Sequence, residues 1–445
     1  MSLIASSQLI IVVGLGVSGL SAARYLQKMG KRFAVMDSRD NPPNIEHFKQ
    51  EFADVLVKTG PIDLDFLLNA EEIILSPGIS LKTPEIKAAT DAGISVVGDI
   101  ELFAREVSAP VIAITGSNAK TTVTTLVGEM AKASGFKVAV GGNIGRPVLD
   151  LLADKAELYV LELSSFQLET TSSLEPKVAT ILNISEDHMD RYDSLMEYFR
   201  AKQRIYWGAK NIVFNRDDKL TQPPIASDVN YYSFGQGPSD RNQFGFINNN
   251  LSFEFKTLLD TASLQLKGKH NHLNALSALA IGHAAGFSLE AMFDVLQNFS
   301  GLAHRCQWIA SIDGVDYIND SKATNVGASL AAVAGFGDQG QKNIILIAGG
   351  EGKGADFSPL KPAVDQYVKN TLLIGKDAQQ IAEAIKGETT IDFANDLNDA
   401  ILQARKYALS GDVVLLSPAC ASFDMFASFE DRGESFIKAV EGLAS

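Results

Sequence analysis

Short apolar runs, each closed by a glycine- or hydroxyl-rich loop and followed by a longer amphipathic stretch, recur along most of this chain. Residues 8–13 read as a strand, 19–29 as a helix, 33–36 as a strand ending at Asp37, and 71–75 as a strand before Ser76-Pro77-Gly78. That alternation predicts a small parallel α/β sheet. A second region opens near Asp99. There the run Val111-Ile112 leads into Thr115-Gly116-Ser117-Asn118-Ala119-Lys120-Thr121-Thr122, with a helical pattern over 123–134 and strands at 158–163 and 178–182. Residues 215–265 alternate polar and apolar positions and predict short antiparallel strands; 272–285 is Ala- and Leu-rich and predicts a helix. A third region begins near Ala303, with strands at 316–318, 343–347, 371–374 and 413–416 separated by helical segments, again a parallel sheet.

The expected fold is therefore α/β in three domains. Residues 1–98 form a Rossmann-like parallel sheet, 99–302 a P-loop-type ATPase domain with a small antiparallel sheet, and 303–445 a second Rossmann-like domain. With 46% hydrophobic and 21% charged residues the composition is that of a soluble globular protein. The net charge of −14, from 53 acidic and 39 basic residues, argues against nucleic acid or an anionic membrane as the main partner. Two cysteines, Cys306 and Cys420, give neither a disulfide framework nor a metal-ligand spacing, which suits a reducing cytoplasm. The apolar stretch 9–20 lacks a preceding basic residue and contains three glycines; it reads as a buried strand and its turn rather than a secretory leader. No uninterrupted apolar run reaches membrane-spanning length.

Two loops carry phosphate-binding chemistry. Gly14-Leu15-Gly16-Val17-Ser18-Gly19 lies between a strand and a helix, and Asp37 ends the next strand about 20 residues on, the context of a dinucleotide fingerprint. This turn suits a pyrophosphate and does not separate NAD(P) from a UDP group, so a dehydrogenase stays open at this point. The 115–122 loop places backbone N–H groups, Lys120 and a Thr hydroxyl as a nucleoside triphosphate requires, although Ile114 and Ala119 stand where the general pattern has Gly.

Other candidates lie after strands, where parallel sheets bind ligands. Glu162 can hold Mg²⁺ or be a solvated strand-end acid. His188 can meet metal or phosphate or be structural, and Lys202 sits on a basic helical face of the kind usually solvated. Arg305 suits phosphate or is a linker arginine. Residues 320–325 follow a short strand, where ligands bind; Gly349-Gly350-Glu351-Gly352-Lys353-Gly354 suits an anion or is a plain glycine turn; and a nucleophilic Cys420 lacks a paired base.

The order of these segments is more specific than any one of them. The 115–122 loop, Gly142-Asn143-Ile144-Gly145, 162–169, 183–192, Lys269-His270-Asn271 and His304-Arg305 resemble the Mur ligases of peptidoglycan synthesis. Residues 319–325 and 417–432 resemble most the branch that adds D-glutamate. A sibling Mur ligase, a folylpolyglutamate-type ligase and a nucleotide sensor are the alternatives.

The resemblance implies an ATP-dependent amide ligase acting in the cytoplasm as a monomer on UDP-N-acetylmuramoyl-L-alanine and D-glutamate. It implies that Gly14, Val17, Ser18, Asp37, Ser38, Arg39 and Gly78 line the UDP end, and that Asn143, Ser164 and His188 hold the sugar–peptide portion. Gly116, Ser117, Asn118, Ala119, Lys120, Thr121 and Thr122 would cradle ATP, with Asn271, Arg305 and Asp320 reaching it from facing domains. Thr121, Glu162, His188 and Lys202 would support two Mg²⁺ ions, or Mn²⁺ in their place, Lys202 as a carbamate made from CO₂. Lys322, Thr324, Lys353, Ser422 and Phe429 would bind D-glutamate. Catalysis would rest on Lys120, Glu162, His188, Lys202 and Arg305. The base for the incoming amine stays open among His188, His304 and the departing phosphate. Ala119 departs from the family's usual Gly; a positive φ there would cost on the order of a kcal/mol.

Overall fold

A computed structural model describes residues 9–189, 191–266, 268–337 and 340–443; Gln8, where the first strand was expected to begin, and Asp190 of the 183–192 motif lie outside these. The chain forms two compact units. One takes in the described residues up to Leu258 together with Ser277–Val295, and the other takes in Leu259–Leu276 and the residues from Leu296 onward.

The first unit holds two sheets. Strands β1 (Ile10–Val13), β2 (Phe33–Asp37), β3 (Val57–Thr59), β4 (Glu72–Leu75) and β5 (Ser95–Val97) pair in parallel in the order β3-β2-β1-β4-β5. The helix Val17–Lys28 follows β1 and buries Leu20, Ala22, Ala23 and Leu26. The second sheet has nine strands: β6 (Val111–Thr115), β7 (Val138–Gly142), β8 (Leu158–Glu162), β9 (Val178–Ile181), β10 (Asn211–Asn215), β11 (Asn230–Phe234), β12 (Gln243–Ile247), β13 (Asn250–Phe253) and β14 (Lys256–Asp260). Their order is β14-β13-β12-β11-β10-β9-β6-β8-β7. β6 and β8 are buried along their whole length, as continuous apolar runs at the centre of a helix-covered parallel sheet should be. One hydrophobic core runs from Val12 and Val35 of the first sheet through Ile100 and Phe103 to Leu161 and Ile181 of the second.

The expected antiparallel strands over 215–265 require an adjustment. β11 joins β10 in parallel and β12 joins β11 in parallel, and the antiparallel pairing begins only at β12 with β13. The tight turn after Ile247 at Asn248-Asn249, both at positive φ, allows that hairpin. These strands therefore extend the central sheet at one edge.

The second unit carries six strands, β15 (Gln307–Ile312), β16 (Val315–Asn319), β17 (Ile344–Gly349), β18 (Val368–Ile374), β19 (Thr390–Phe393) and β20 (Val413–Leu416). Their order is β15-β16-β20-β17-β18-β19, parallel except for the β15–β16 hairpin. Its two faces bury separate apolar clusters, one with Val333, Val364 and Ile381, the other with Ile401, Ala404 and Phe436. The carboxyl ends of β16, β20 and β17 are neighbours, so the loops after them meet at one sheet edge.

Candidate active site

The turn after β1 is built for close approach. Gly14 has φ +99°, and a Cβ there would lie 2.7 Å from the Ser76 Cβ, so only Gly fits. The Ser76 hydroxyl donates to the Gly14 carbonyl at 2.8 Å, which ties this turn to the loop after β4. Asp37 is buried at the end of β2. It accepts the Leu15 N–H at 2.6 Å and the Arg39 guanidinium at 2.8 and 2.7 Å. Burial pushes its pKa up, but the Arg39 and Leu15 hydrogen bonds outweigh that and hold the carboxyl below its ordinary value. These loops wall a cleft of about 630 Å³ with Gly14, Val17, Ser18, Asp37, Ser38, Arg39 and Gly78 on one side and Gly142, Asn143, Gly145 and Gln167 on the other. All seven residues expected at the UDP end thus face one cavity, as does Asn143. Ser164 caps the helix Ser165–Glu169, accepting the Gln167 N–H at 3.2 Å, and so fixes the Gln167 wall.

The phosphate loop follows β6 and is braced from the loop after β9. Ser117 N–H donates to the Asn183 carbonyl at 2.9 Å, Asn118 N–H to Asn183 Oδ1 at 2.8 Å, and the Ser117 hydroxyl to the Ser185 carbonyl at 2.9 Å. Thr121 and Thr122 lie in the first turn of the helix Lys120–Ala133, whose N-terminus presents backbone N–H groups and the positive dipole end that favour phosphate. Ala119 caps this helix at φ 64° and ψ −2°, the left-handed conformation.

Two lysines converge on the loop. Lys120 Nζ donates to the carbonyls of Gly116 at 2.8 Å and Ser117 at 2.9 Å. Lys202 Nζ donates to the same Gly116 carbonyl at 2.9 Å and to Thr115 Oγ1 at 3.1 Å, over the Tyr198 ring. Lys202 is 1% exposed, which sets aside the solvated-face reading; Arg200 on the same helix is the residue that faces water. Burial, and then the Lys120 charge, drive the Lys202 ammonium well below its ordinary pKa, while Asp187 and Glu162 oppose the shift.

Glu162 is buried too, not a solvated strand-end acid. Its Oε1 accepts from Asn143 Nδ2 at 2.7 Å, and its Oε2 is sealed from solvent with no hydrogen-bond partner. A buried carboxylate oxygen in that condition, beside a phosphate loop, fits a divalent cation. His188 stands at φ 59°, half exposed, with its ring against Phe166 and Nε2 at 3.7 Å from Asp187 Oδ2. Among the described residues, no three His, Cys, Asp or Glu side chains are grouped to hold a metal by themselves, so Glu162 and His188 form no closed metal cage. Asp187, beside His188 in the 183–192 segment, was given no role from the sequence, yet its charge acts on both Lys202 and Tyr198.

In the second unit the loops after β16, β17 and β20 gather most of the remaining candidates. Asp320 is buried, accepting the Cys306 N–H at 3.1 Å and the Ser417 hydroxyl at 2.9 Å, and burial pushes its pKa up to about 7. Lys322 Nζ lies 3.8 Å from the Phe429 ring centroid, and Lys353 Nζ 5.5 Å from that of Phe423, so both ammonium groups rest on aromatic faces near this edge. Thr324 N–H donates to the Lys322 carbonyl at 2.8 Å, and Ser422 is buried. Asn271 is buried near the start of the helix Lys269–Ala285, and Arg305 lies in the loop before β15. Arg432, also missed, is buried and donates to Ser321 Oγ at 2.9 Å, to the Ser321 carbonyl at 2.8 Å and to the Cys420 carbonyl at 3.1 Å, joining the loops after β16 and β20. Burial raises the Cys420 thiol to about 12, which removes it as a nucleophile.

Comparison with known proteins agrees along the whole chain. Residues 8–98 match the Mur ligase MurD-like N-terminal domain, 114–282 the Mur ligase middle domain, and 304–420 the Mur ligase glutamate ligase domain. A UDP-N-acetylmuramoylalanine–D-glutamate ligase of Pseudomonas fluorescens strain Pf-5 is 53% identical, covering 100% of both chains. The protein of that name from Pseudomonas aeruginosa is also 53% identical over 100% of both. A solved pseudomurein peptide ligase type C from Methanothermus fervidus is 18% identical and superposes with a TM-score of 0.61 over 98% of this chain and 100% of its own, a likeness of fold. Among the described residues no helix is long and apolar enough to cross a membrane. A dehydrogenase reading would use the first glycine turn alone and leave the rest of this similarity without a cause. The chain belongs to the Mur ligase family, in its UDP-N-acetylmuramoylalanine–D-glutamate ligase branch.

Proposed function

We propose that this enzyme joins the amine of D-glutamate to the terminal carboxylate of UDP-N-acetylmuramoyl-L-alanine, with ATP converted to ADP and phosphate, as a cytoplasmic step in making peptidoglycan precursor. One observation carries the reading. Asn143 lines the cleft whose other wall is the pyrophosphate turn, and its side chain donates to Glu162 at 2.7 Å, beside the Lys120 loop. A nucleotide sugar seated by Gly14, Ser18 and Asp37 would extend past Asn143 and bring its free carboxylate toward the phosphate loop.

Amide formation in water requires the carboxylate to be activated. The L-alanine carboxylate oxygen attacks the γ-phosphorus, the bond to the β-phosphate oxygen breaks, and an acyl phosphate and ADP result. The neutral D-glutamate amine then attacks the acyl carbon, and inorganic phosphate departs from the tetrahedral adduct. In the first step an anion approaches a polyanion. Lys120, the loop N–H groups and the dipole of the helix Lys120–Ala133 offset that repulsion and stabilise the spread charge. Arg305, Asn271 and Asp320 are the proposed nucleotide contacts of the second unit. Lys322 and Lys353 are the proposed partners of the two D-glutamate carboxylates, with Thr324, Ser422 and Phe429 around them.

Glu162, with Thr121 and His188, would hold Mg²⁺, which supplies charge neutralisation at the phosphate oxygens when bound. Lys202 fits a carbamate: burial and Lys120 favour its neutral amine, the form that reacts with CO₂, and the resulting carboxylate would support a second ion. Lys202→Ala tests this. Activity should be lost and partly restored by added acetate; full activity without acetate would overturn the role.

A further inference from the structure

The contact between His270 and Cys306 belongs to none of the roles above. His270 Nε2 lies 3.0 Å from Cys306 Sγ, inside the second unit. Three further observations show that the fold is arranged around this contact. First, the ring packs against the helix Val326–Phe336, with Phe336 at 5.5 Å between centroids. Second, that helix carries Gly335 in its last turn, against the ring. A Cβ on Gly335 would lie 2.0 Å from His270 Nδ1, so the glycine keeps a slot for the ring. Third, Cys306 N–H donates to Asp320 Oδ1 at 3.1 Å, and Asp320 in turn accepts from Ser417. A continuous chain of contacts thus runs from the start of the helix Lys269–Ala285 to the loop before β15 and the ends of β16 and β20.

The neighbours of this chain give it meaning. Asn271 follows His270, Arg305 precedes Cys306, and Asp320 is a link itself. These are the three residues of this unit expected to touch ATP. They come from separate segments, and this chain of contacts links all three; the Arg305 and Asp320 segments are also joined by Asn319 Nδ2 and His304 Nδ1 at 3.0 Å and by the Lys322 N–H donating to the His304 carbonyl at 3.0 Å.

We propose that His270 and Cys306 are positioning residues that hold Asn271, Arg305 and Asp320 as one nucleotide-contacting set. The inference rests on the reading of those three as ATP contacts. It gives the contact a specific consequence: losing it weakens ATP use and spares the other substrates, because the UDP cleft lies wholly in the first unit, Arg432 anchors the loop that carries Lys322, and the Glu351–Ala421 backbone pair anchors the loop that carries Lys353.

The test uses steady-state kinetics on the full-length enzyme, with ATP, UDP-N-acetylmuramoyl-L-alanine and D-glutamate varied in turn and the thermal midpoint recorded. Cys306→Ala removes the sulfur. Gly335→Ala improves helix propensity while pushing the ring from its slot. Both are expected to raise the KM for ATP tenfold or more, with the other two KM values within twofold, and Cys306→Ser, which keeps a donor, to recover most of the affinity. A folded Cys306→Ala with a KM for ATP within twofold of the parent overturns the proposal, as does an equal rise in all three KM values. Should Cys306→Ala fail to fold, Gly335→Ala decides on the same criteria. Arg305→Ala separates the two layers: if it leaves the KM for ATP unchanged, the nucleotide reading fails and the inference with it. If it raises that KM while Cys306→Ala does not, the positioning role alone fails.

Discussion

Ala119→Gly is the substitution whose outcome follows most directly from the backbone. Ala119 sits at φ 64° and ψ −2°, on the left-handed side and away from the centre of that well at about ψ +47°. For a residue with a Cβ this conformation costs about 1–2 kcal/mol relative to Gly. Glycine gives back about 0.5–1 kcal/mol through the larger entropy of the unfolded chain. The net gain is about 0.5–1 kcal/mol of stability, which for a unit of this size raises the unfolding midpoint by about 1–3 °C. Ala119→Val is the opposite perturbation: a β-branched side chain at the same φ should lower stability by about 1 kcal/mol or more. Differential scanning calorimetry on the three proteins, without and with ADP, reads both shifts. A glycine variant that melts at the same temperature as the parent or below it would show that the loop carries no such strain, and the explanation for this departure from the family would fall.

Lys120→Ala should lower kcat by roughly three orders of magnitude, because the amine is asked to stabilise charge that develops on the transferring phosphoryl group; single-turnover phosphate release measures it. Asp37→Asn weakens the acceptor of Leu15 N–H and of the Arg39 guanidinium, so the KM for the nucleotide sugar should rise about tenfold with kcat little changed, a loss of order 1.4 kcal/mol in steady-state kinetics. Asp320 has a folded pKa of about 7 against an ordinary 3.8, so the folded state binds its proton more tightly. The stability this contributes is full below about pH 4 and is lost as the pH rises to about 7, on the order of a few kcal/mol; Asp320→Asn should flatten the pH dependence of urea unfolding across that window.

Much of the architecture was legible because parallel strands buried on both faces are continuous apolar runs. Residues 33–36, 178–182 and 413–416 each lie on an observed strand to within a residue or so. What escaped were short edge strands such as β3, β5 and β19, whose sides meet water and whose residues include Lys58, Ser95 and Asp392. The parallel pairing of β11 and β12 escaped as well, because alternation reveals a half-buried strand but not the direction of its partner. Loop positions of site residues were readable, since ligand-binding loops follow strand ends. Burial was not: Lys202 lies among Arg200, Gln203 and Arg204 in a stretch with the look of a wet helix face, and only the packing against Thr115 and Tyr198 turns its amine inward. Asp187 and Arg432 stayed hidden for the same reason. Both lie in segments that carry the family resemblance, 183–192 and 417–432, but each acts through contacts with distant segments, which a local pattern does not show.

The central claim is that ATP cleavage is tied to the joining of D-glutamate to the nucleotide sugar. Phosphate release from ATP and Mg²⁺ in the presence of UDP-N-acetylmuramoyl-L-alanine, with D-glutamate, L-glutamate or no amino acid, tests it most directly. Release that requires both the nucleotide sugar and D-glutamate, with L-glutamate inert, is the predicted result. Sustained release without D-glutamate, or equal release with L-glutamate, would contradict it.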